Sequence, residues 1–246
     1  MPTLILPPRY TVDSIALWKT AIALGWSVER LQNWRVDRNK TILDPFIYGE
    51  PLFAQVVAES LSIRLIEPQL DWLTTLPREY TKRKVRFMTL SNVEQITETS
   101  FIKPAKDKCF AAQVYRSGKE VSKSFLPPDT PILVSEPVEW EIEFRCFISD
   151  RQIKTISSYW QNGKSTEQPD GSWLGTITEY QQAQDFCNRV LNNSQVEIPD
   201  AVVIDVGKIV GKDWAVIEAN SAFGSGLYGC DPYQAIEVIR KANVLT

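Results

Sequence analysis

Three polar residues in the last third of the sequence stand where apolar segments end. Asp205 ends one strand-like segment, and Glu218 and Asn220 end the next. Alternate residues of a strand share a face, so Glu218 and Asn220 project together, and a hairpin would bring Asp205 beside them. Two carboxylates and an amide oxygen are hard ligands suited to Mg²⁺. The alternative is a hairpin with ordinary solvated carboxylates. Three polar groups at apolar strand ends, followed by the glycine-containing stretch 221–226, favour the metal site.

This arrangement resembles the metal-binding end of the ATP-grasp superfamily. Asp205 and Glu218 are 13 residues apart and Asn220 follows two later, as in that family, and the glycine-rich stretch after Asn220 is also similar. The resemblance implies that Glu218 bridges two Mg²⁺ ions, with Asp205 and Asn220 each holding one. It covers about residues 80–246.

Upstream residues in the expected order extend the resemblance. Lys103, in the segment Phe-Ile-Lys-Pro, looks like the strand lysine that contacts the phosphates of the nucleotide, a task suited to a point charge. Glu136 and Val138 resemble the hinge whose backbone pairs with adenine. Glu143 falls where the family places a carboxylate on the ribose hydroxyls. Arg145 resembles an arginine of peptide-ligating members and is predicted to be catalytic.

The segment that should close over the phosphates departs from the family pattern. Members usually carry a Gly/Ser-rich loop after the strand lysine, whereas residues 104–110 contain no glycine, and Gly118 is the first to follow. Lys106 or Lys108 is a candidate substitute. The second nucleotide-binding cation of the family has no unique position here, and its candidates are Lys82, Arg83, Lys84 and Arg86.

A second departure concerns positive charge beside the metal site. Many members place an arginine two residues before the metal aspartate, where this chain has Val203. Arg145 or Lys208 is predicted to supply the missing charge, and Lys208 is therefore a second catalytic candidate. These differences are typical of a short, divergent branch of the family that is also met in bacteria and viruses.

The elements that must position these residues follow an α/β order, which hydrophobic periodicity and turn residues predict. Strands are predicted at 3–6, 27–31, 63–66, 85–89, 100–103, 110–115, 121–125, 132–135, 141–149, 152–159, 201–206 and 214–219, and helices at 11–24, 52–61, 178–192 and 232–245. The turn 116–119 is predicted to join residues 110–115 and 121–125 in a hairpin.

The predicted fold class is α/β with an α+β core. Residues 1–78 read as a small parallel α/β domain, because strand, helix and strand alternate there. The resemblance implies that residues 79–246 form an ATP-grasp domain whose two α+β subdomains grip the nucleotide. A lid-like subdomain is expected at about 79–135 and a metal-binding subdomain at about 136–246.

Composition excludes several function classes. The chain of 246 residues has a net charge of −3, which gives no basic field for nucleic acid. It has no histidine, so Ser-His-Asp and Cys-His nucleophilic mechanisms are excluded, and its four cysteines form no CxxC pair. The sequence also lacks a signal-peptide pattern and an apolar run long enough for a membrane span. We therefore expect a cytoplasmic protein with neither a nucleic-acid nor a membrane partner.

The resemblance implies a Mg-ATP-dependent ligase that joins a carboxylate to an amine through an acyl phosphate and releases ADP and phosphate. Its cofactors would be ATP and Mg²⁺, and its substrates small molecules or peptides. Aromatic residues commonly line such pockets, which makes Tyr159, Trp160, Trp173 and Tyr228 candidates for specificity, with simple packing as the alternative. The oligomeric state stays open, a dimer being one option.

Two other functions compete with ligation. One is a nucleotide-binding module without turnover, acting as a sensor or partner-binding protein. The altered segment 104–110 and Val203 favour it, whereas the intact set of Asp205, Glu218 and Asn220 favours the enzyme. The other is a protein-interaction domain that binds no nucleotide, which leaves the ordered motifs unexplained.

Overall fold

Four β-sheets organise the computed structural model, which describes residues 1–37, 41–106, 109–123 and 125–246. The strands are β1 (Thr3–Leu6), β2 (Ser27–Arg30), β3 (Pro45–Ile47), β4 (Ile63–Leu65), β5 (Val85–Thr89), β6 (Ser100–Pro104), β7 (Gln113–Tyr115), β8 (Pro131–Ser135), β9 (Trp140–Ser149), β10 (Gln152–Gln161), β11 (Lys164–Ser165), β12 (Ala201–Ile209), β13 (Trp214–Asn220) and β14 (Asn243–Leu245). The α-helices are α1 (Val12–Ala23), α2 (Pro51–Leu61), α3 (Trp72–Thr75), α4 (Arg78–Thr81), α5 (Ile177–Asn192) and α6 (Pro232–Lys241). Short 3₁₀ segments span Leu90–Gln95, Gly118–Glu120 and Ala222–Gly224. No helix in the described ranges is both long and apolar enough to cross a membrane.

The N-terminal unit is built on a parallel sheet of order β2-β1-β3. Thr11 starts α1 with a capping box, in which its hydroxyl accepts from the Ser14 amide and its own amide donates to the Ser14 hydroxyl. The third parallel strand is β3, which the sequence analysis missed because it is only three residues long. The prediction that residues 63–66 belong to this parallel unit is wrong, because β4 pairs antiparallel with β14 instead.

The lid sheet, of order β5-β8-β6-β7, is antiparallel and has its own small core. Strand β7 pairs with β6, but the predicted hairpin of 110–115 with 121–125 does not form among the described residues. The reason lies at Gly118, where a Cβ atom would stand 1.6 Å from the Val93 carbonyl oxygen. Gly118 therefore serves a close backbone approach to the Leu90–Gln95 segment rather than a tight turn.

The base sheet is the five-stranded sheet of order β11-β10-β9-β12-β13, with all neighbours antiparallel. Its rear face packs on α5 in a core that includes Phe144, Ile204 and Val216. At one end of the front face, Phe147 and Val203 join the core of the N-terminal unit. The other end of the front face is polar and carries the candidate site.

The last predicted helix is shorter than expected. The sequence predicts one helix over residues 232–245, but α6 ends at Lys241 and the chain continues as β14. Asn243 ends the helix because its side chain brackets the backbone of Ile47, accepting from the amide at 2.9 Å and donating to the carbonyl at 3.3 Å. The helix itself packs into the core of the N-terminal unit.

Candidate functional site

Three neighbouring strands of the base sheet bring the predicted metal and charge residues together. In the pairing of β12 with β9, Asp205 lies opposite Arg145 and Gly207 opposite Glu143. In the pairing of β12 with β13, Asp205 lies opposite Glu218. The hairpin inferred from the sequence therefore forms, and it places these side chains on one polar patch of the front face.

A β-bulge in β13 makes this patch possible. Asp205 pairs with Glu218 but Val206 pairs with Val216, so Ile217 is an extra residue in the ladder. Val216 packs in the rear core, and strict alternation would also turn Glu218 to the rear. The extra residue shifts the alternation by one, so that Glu218 faces the front beside Asp205.

Arg145 forms a bidentate ion pair with Asp205 in the centre of the patch. Its Nε donates to Oδ1 at 2.9 Å and its Nη2 to Oδ2 at 2.7 Å, while its Nη1 donates to the Gly226 carbonyl at 3.0 Å. Burial alone would lower the pKa of Arg145, but the charge of Asp205 outweighs it and the pKa is raised. Burial raises the pKa of Asp205 despite Arg145. Arg145 thus places a positive charge beside Asp205, at the site where Val203 leaves none.

The other predicted catalytic residue, Lys208, lies apart from this network. Its ammonium forms an ion pair with Glu141, at 2.9 Å, on the neighbouring strand. Its catalytic role stays a prediction.

Glu218 joins the base sheet to the lid sheet through Lys103. The ammonium of Lys103 contacts Glu218 Oε2, and the two side chains are 20% and 30% exposed. Burial alone would raise the pKa of Glu218, but Lys103 and a hydrogen bond from Asn220 lower it to about 2. The predicted phosphate-binding lysine therefore lies against a predicted metal ligand.

Asn220 lies between the two carboxylates. Its Nδ2 donates to Glu218 Oε1 at 3.0 Å and to Asp205 Oδ2 at 3.3 Å. Among the described residues no three Asp, Glu, Cys or His side chains converge on one metal position. Two carboxylates and an amide fit Mg²⁺ nevertheless, because this ion binds few protein oxygens and takes its other ligands from water and phosphate.

Glu143 stands on the same face, next to Tyr159. The Tyr159 hydroxyl donates to Glu143 Oε2 at 2.6 Å. Burial, together with the negative charges of Asp205 and Glu218, raises the pKa of Glu143 to about 7, and the bond from Tyr159 opposes this rise. A partly protonated carboxyl group here can both donate to and accept from a hydroxyl group.

The segment predicted as the hinge joins β8 to β9. The Glu136 amide donates to the Lys84 carbonyl at 3.1 Å, so this amide is already bonded. The Glu136 carboxylate accepts from the Lys84 amide at 3.1 Å and from Arg78 at 3.0 Å. Both chain connections of the lid sheet are therefore tied together at this point. Val138 lies in the irregular stretch that follows and is half-buried.

The basic run before β5 divides into residues with different surroundings. Arg83 is 5% exposed and donates to the backbone of β13. Arg86 shares a sheet face with Ile102 and Val134, opposite to the face of Lys103, and pairs with Glu98 at 2.5 Å. The exposed Lys84 and half-buried Lys82 stay candidates for the second nucleotide cation.

A cleft separates the lid sheet from the base sheet at the Lys103–Glu218 pair. Its walls come from both sheets and from the segment that precedes α3. They include Pro68, Gln69, Leu70, Trp72, Leu73, Lys103, Ala105, Leu133, Glu218, Ala219 and Asn220. Lys106 is exposed in the segment after β6, and Lys108 lies outside the described residues.

Three of the four aromatic candidates for specificity meet around Arg145. Tyr159 and Tyr228 stack with ring centroids 5.3 Å apart, and Trp173 lies 6.1 Å from Tyr228. The Arg145 guanidinium carbon is 4.4 Å from the Tyr228 ring centroid. Trp160 is 38% exposed and makes none of these ring contacts.

The sequence analysis missed two polar residues of the N-terminal unit that reach this wall. Asp13, in the first turn of α1, is bonded to the Leu227 amide and to Tyr48, and burial raises its pKa. The Tyr48 hydroxyl also lies 3.1 Å from the Ser225 carbonyl oxygen. The only sequence signal was an acidic residue at a helix start, which is usual for capping.

Comparison with protein families and solved structures identifies similar proteins. A family described as an ATP-grasp domain, the second family of its clade, matches residues 80–238. The crystal structure of the D-cycloserine synthetase DcsG matches with a TM-score of 0.58 and 14% identity, covering 97% of this chain and 99% of that one. A RimK-domain ATP-grasp protein from Sphaerobacter thermophilus matches with a TM-score of 0.56, 12% identity and coverages of 98% and 99%. D-alanine–D-alanine ligase from Bacillus anthracis matches with a TM-score of 0.54, 14% identity and coverages of 98% and 96%. No curated protein matches by sequence.

Proposed function

Because the chain belongs to this ATP-grasp domain family, we propose that it is a Mg-ATP-dependent ligase that joins a carboxylate to an amine. Family membership confirms the resemblance drawn from the sequence, and the structural likenesses confirm the predicted ATP-grasp fold. We further propose the domain division at residue 78, with a lid-like subdomain at 79–135 and a metal-binding subdomain at 136–246.

The observation that carries the proposal is the meeting of opposite charges across the cleft. Lys103 from the lid sheet contacts Glu218, and Glu218 is linked through Asn220 to the buried Asp205. In the proposed complex, Mg²⁺ is held by Asp205, Glu218 and Asn220 and offsets charge on the phosphates. Lys103 exchanges its carboxylate partner for a phosphate oxygen. The adenosine end lies toward Glu136, Val138 and Glu143.

The proposed reaction consists of two displacements. A substrate carboxylate oxygen forms a bond to the γ-phosphorus, and the bond between that phosphorus and the β,γ-bridging oxygen breaks to release ADP. The amine nitrogen then bonds to the acyl carbon, loses a proton, and phosphate leaves. No protein nucleophile is required, in keeping with a chain that has no histidine. The contribution of the chain is positioning and electrostatic stabilisation.

We place the acceptor end of the site at the aromatic wall. Arg145 lies there with Tyr159 and Tyr228, and it adjoins Asp205 on the side away from Lys103. The guanidinium can orient an incoming carboxylate when its partner Asp205 turns to the metal. The carboxylate of Asp13 lies behind the same loop and suits the amine of an acceptor.

Two measurements test the proposal. Mg-ADP or Mg-ATP at a hundred times its dissociation constant should stabilise the fold by roughly 2.7 kcal/mol, a rise in melting temperature of roughly 5–10 °C. Hydroxylamine should trap the acyl phosphate as a hydroxamate when the right carboxylate is present. A pool of amino acids, short peptides and dicarboxylic acids is the screen, with ADP and phosphate as the expected products. AMP and pyrophosphate would contradict the acyl-phosphate route.

A nucleotide-binding module without turnover is the second candidate. It is favoured by the segment 104–110, which carries no glycine to cover the phosphates. Binding of Mg-ATP without carboxylate-stimulated ATP consumption across the whole pool would support it over the ligase.

A further inference from the structure

The buried cation of the basic run before β5 has a setting that nucleotide binding does not explain. Arg83 is 5% exposed, and its guanidinium carbon lies 5.0 Å from the centroid of the Trp140 ring. Its Nη1 donates to the Thr81 carbonyl at 3.0 Å and to the Val216 carbonyl at 2.8 Å, and its Nη2 donates to the Ile217 carbonyl at 3.0 Å. Burial lowers the pKa of Arg83 to about 10.

The two carbonyls that Arg83 binds in β13 belong to the β-bulge. Val216 and Ile217 are the residues at which the pairing of β13 with β12 slips by one. Strand β13 is also the last strand of the base sheet, so its outer edge has no neighbouring strand to bond to. Buried carbonyls without a partner are costly, and a bulge adds to the unpaired groups of an edge. Arg83 bonds both carbonyls with one planar group.

The bulge determines where Glu218 points. Val216 packs in the rear core, so an unbulged strand would turn Glu218 toward that core and away from Asp205. Whatever stabilises the extra residue at Ile217 therefore keeps Glu218 on the front face. The group that does so is supplied by the chain segment just before the lid sheet.

We infer that Arg83 is a positioning residue for the proposed magnesium site, acting through the bulge at Val216 and Ile217 to aim Glu218 at the metal. The inference rests on the proposed function, because it takes Glu218 as a metal ligand. It assigns Arg83 a place in the metal site, one that the sequence left open among several nucleotide-binding candidates.

The geometry requires arginine rather than any cation. A lysine ammonium is a compact point charge on a flexible stem, whereas the guanidinium is a planar fork that reaches two acceptors at once. Arg83→Lys keeps the charge and most of the apolar stem over Trp140 but cannot hold both carbonyls in the same geometry. Changes that disturb the orientation of a metal ligand typically cost roughly 10–100-fold in metal affinity.

The experiment measures magnesium binding rather than catalysis. The melting temperature of the protein with saturating ADP is followed while MgCl₂ is titrated, and the Mg²⁺ midpoint is the concentration that gives half of the Mg-dependent rise. A matched control is Arg151→Lys. Arg151 also donates to main-chain carbonyls, of Leu191, Asn193 and Val196, but it lies at the opposite end of the base sheet.

The expected result is a Mg²⁺ midpoint raised roughly 10–100-fold in Arg83→Lys. The stabilisation by ADP in EDTA should stay as in wild type, and Arg151→Lys should lower the melting temperature without moving the midpoint. An unchanged midpoint in folded Arg83→Lys overturns the inference, as does an equal shift in Arg151→Lys. Loss of cooperative melting in Arg83→Lys overturns it too, because the residue would then serve folding alone. Absence of any Mg²⁺ effect in the wild-type protein would instead contradict the proposed function.

Discussion

The ion pair between Lys103 and Glu218 should behave as a contact that the nucleotide replaces. The perturbation is a double-mutant cycle of Lys103→Met, Glu218→Gln and the two together, measured by the free energy of unfolding. Without nucleotide and metal, each single change removes the partner of a largely buried charge. The double variant removes both charges, so it should be more stable than the sum of the single effects indicates.

The size of this coupling follows from the charge balance at Glu218. Its pKa falls from 4.5 to about 2 although burial opposes the fall. At about 1.4 kcal/mol per tenfold change, this corresponds to about 3 kcal/mol of favourable interaction for the carboxylate. Asn220 and Arg145 contribute part of it, so we expect a Lys103–Glu218 coupling of about 1–3 kcal/mol. Because the pKa is lowered on folding, the coupling is complete above pH 4.5 and is lost as the pH falls through 2.

The assay is urea unfolding at pH 7, in EDTA and again with saturating Mg-ADP. In EDTA the coupling should be measurable. With Mg-ADP it should approach zero, because Lys103 then contacts phosphate and Glu218 contacts the metal. A coupling near zero in EDTA would refute the ion pair, and an unchanged coupling in Mg-ADP would refute the exchange of partners.

Three further perturbations have expected outcomes. Because folding raises the pKa of Glu143 from 4.5 to about 7, its contribution to stability is greatest below pH 4.5 and is lost as the pH rises through 7. Glu143→Gln should therefore match wild type in thermal unfolding at pH 5 without ligand and exceed it at pH 8 by about 1–3 kcal/mol, and equal stability at pH 8 would contradict the burial of the charge. Asp13→Asn should raise the KM for an amine acceptor found with the hydroxamate screen while leaving ATP affinity unchanged, whereas a loss of ATP affinity would move Asp13 out of the acceptor end. Gly118→Ala should cost about 1–3 kcal/mol in chemical denaturation, because a Cβ atom would overlap the Val93 carbonyl, and a neutral result would mean that this contact is looser than described.

The sequence predicted the site better than it predicted the connections between elements. Asp205, Glu218 and Asn220 could be grouped in advance, because each ends an apolar segment and alternation in a strand is a local rule. The bulge at Ile217 could not be predicted, because pairing slips depend on the partner strand. For the same reason the grouping of Glu218 with Asn220 was sound, whereas the parity that turns Glu218 to the front remained hidden.

Long-range pairing accounts for the elements that were misassigned. Strand β3 is too short for a periodic signal and exists because β1 lies beside it. Residues 243–245 continue the apolar pattern of α6, and only the partner β4, far away in sequence, makes them a strand. The pairing of Arg145 with Asp205 is also non-local. The sequence pointed to either Arg145 or Lys208 as the missing charge, and only the register places the first opposite Asp205.

The bracket that Asn243 makes around the Ile47 backbone bears on how the chain folds during synthesis. Helix α6 fills the core beneath β1 and β3, and Arg240 pairs with Asp44 at 2.8 Å. When the ribosome has released only the first residues, they lack this helix and leave apolar surface uncovered. Contacts of such large sequence separation form late and slow the folding reaction. The first segment to be translated is therefore among the last to reach its native packing, and a nascent chain paused before α6 would expose an incomplete core.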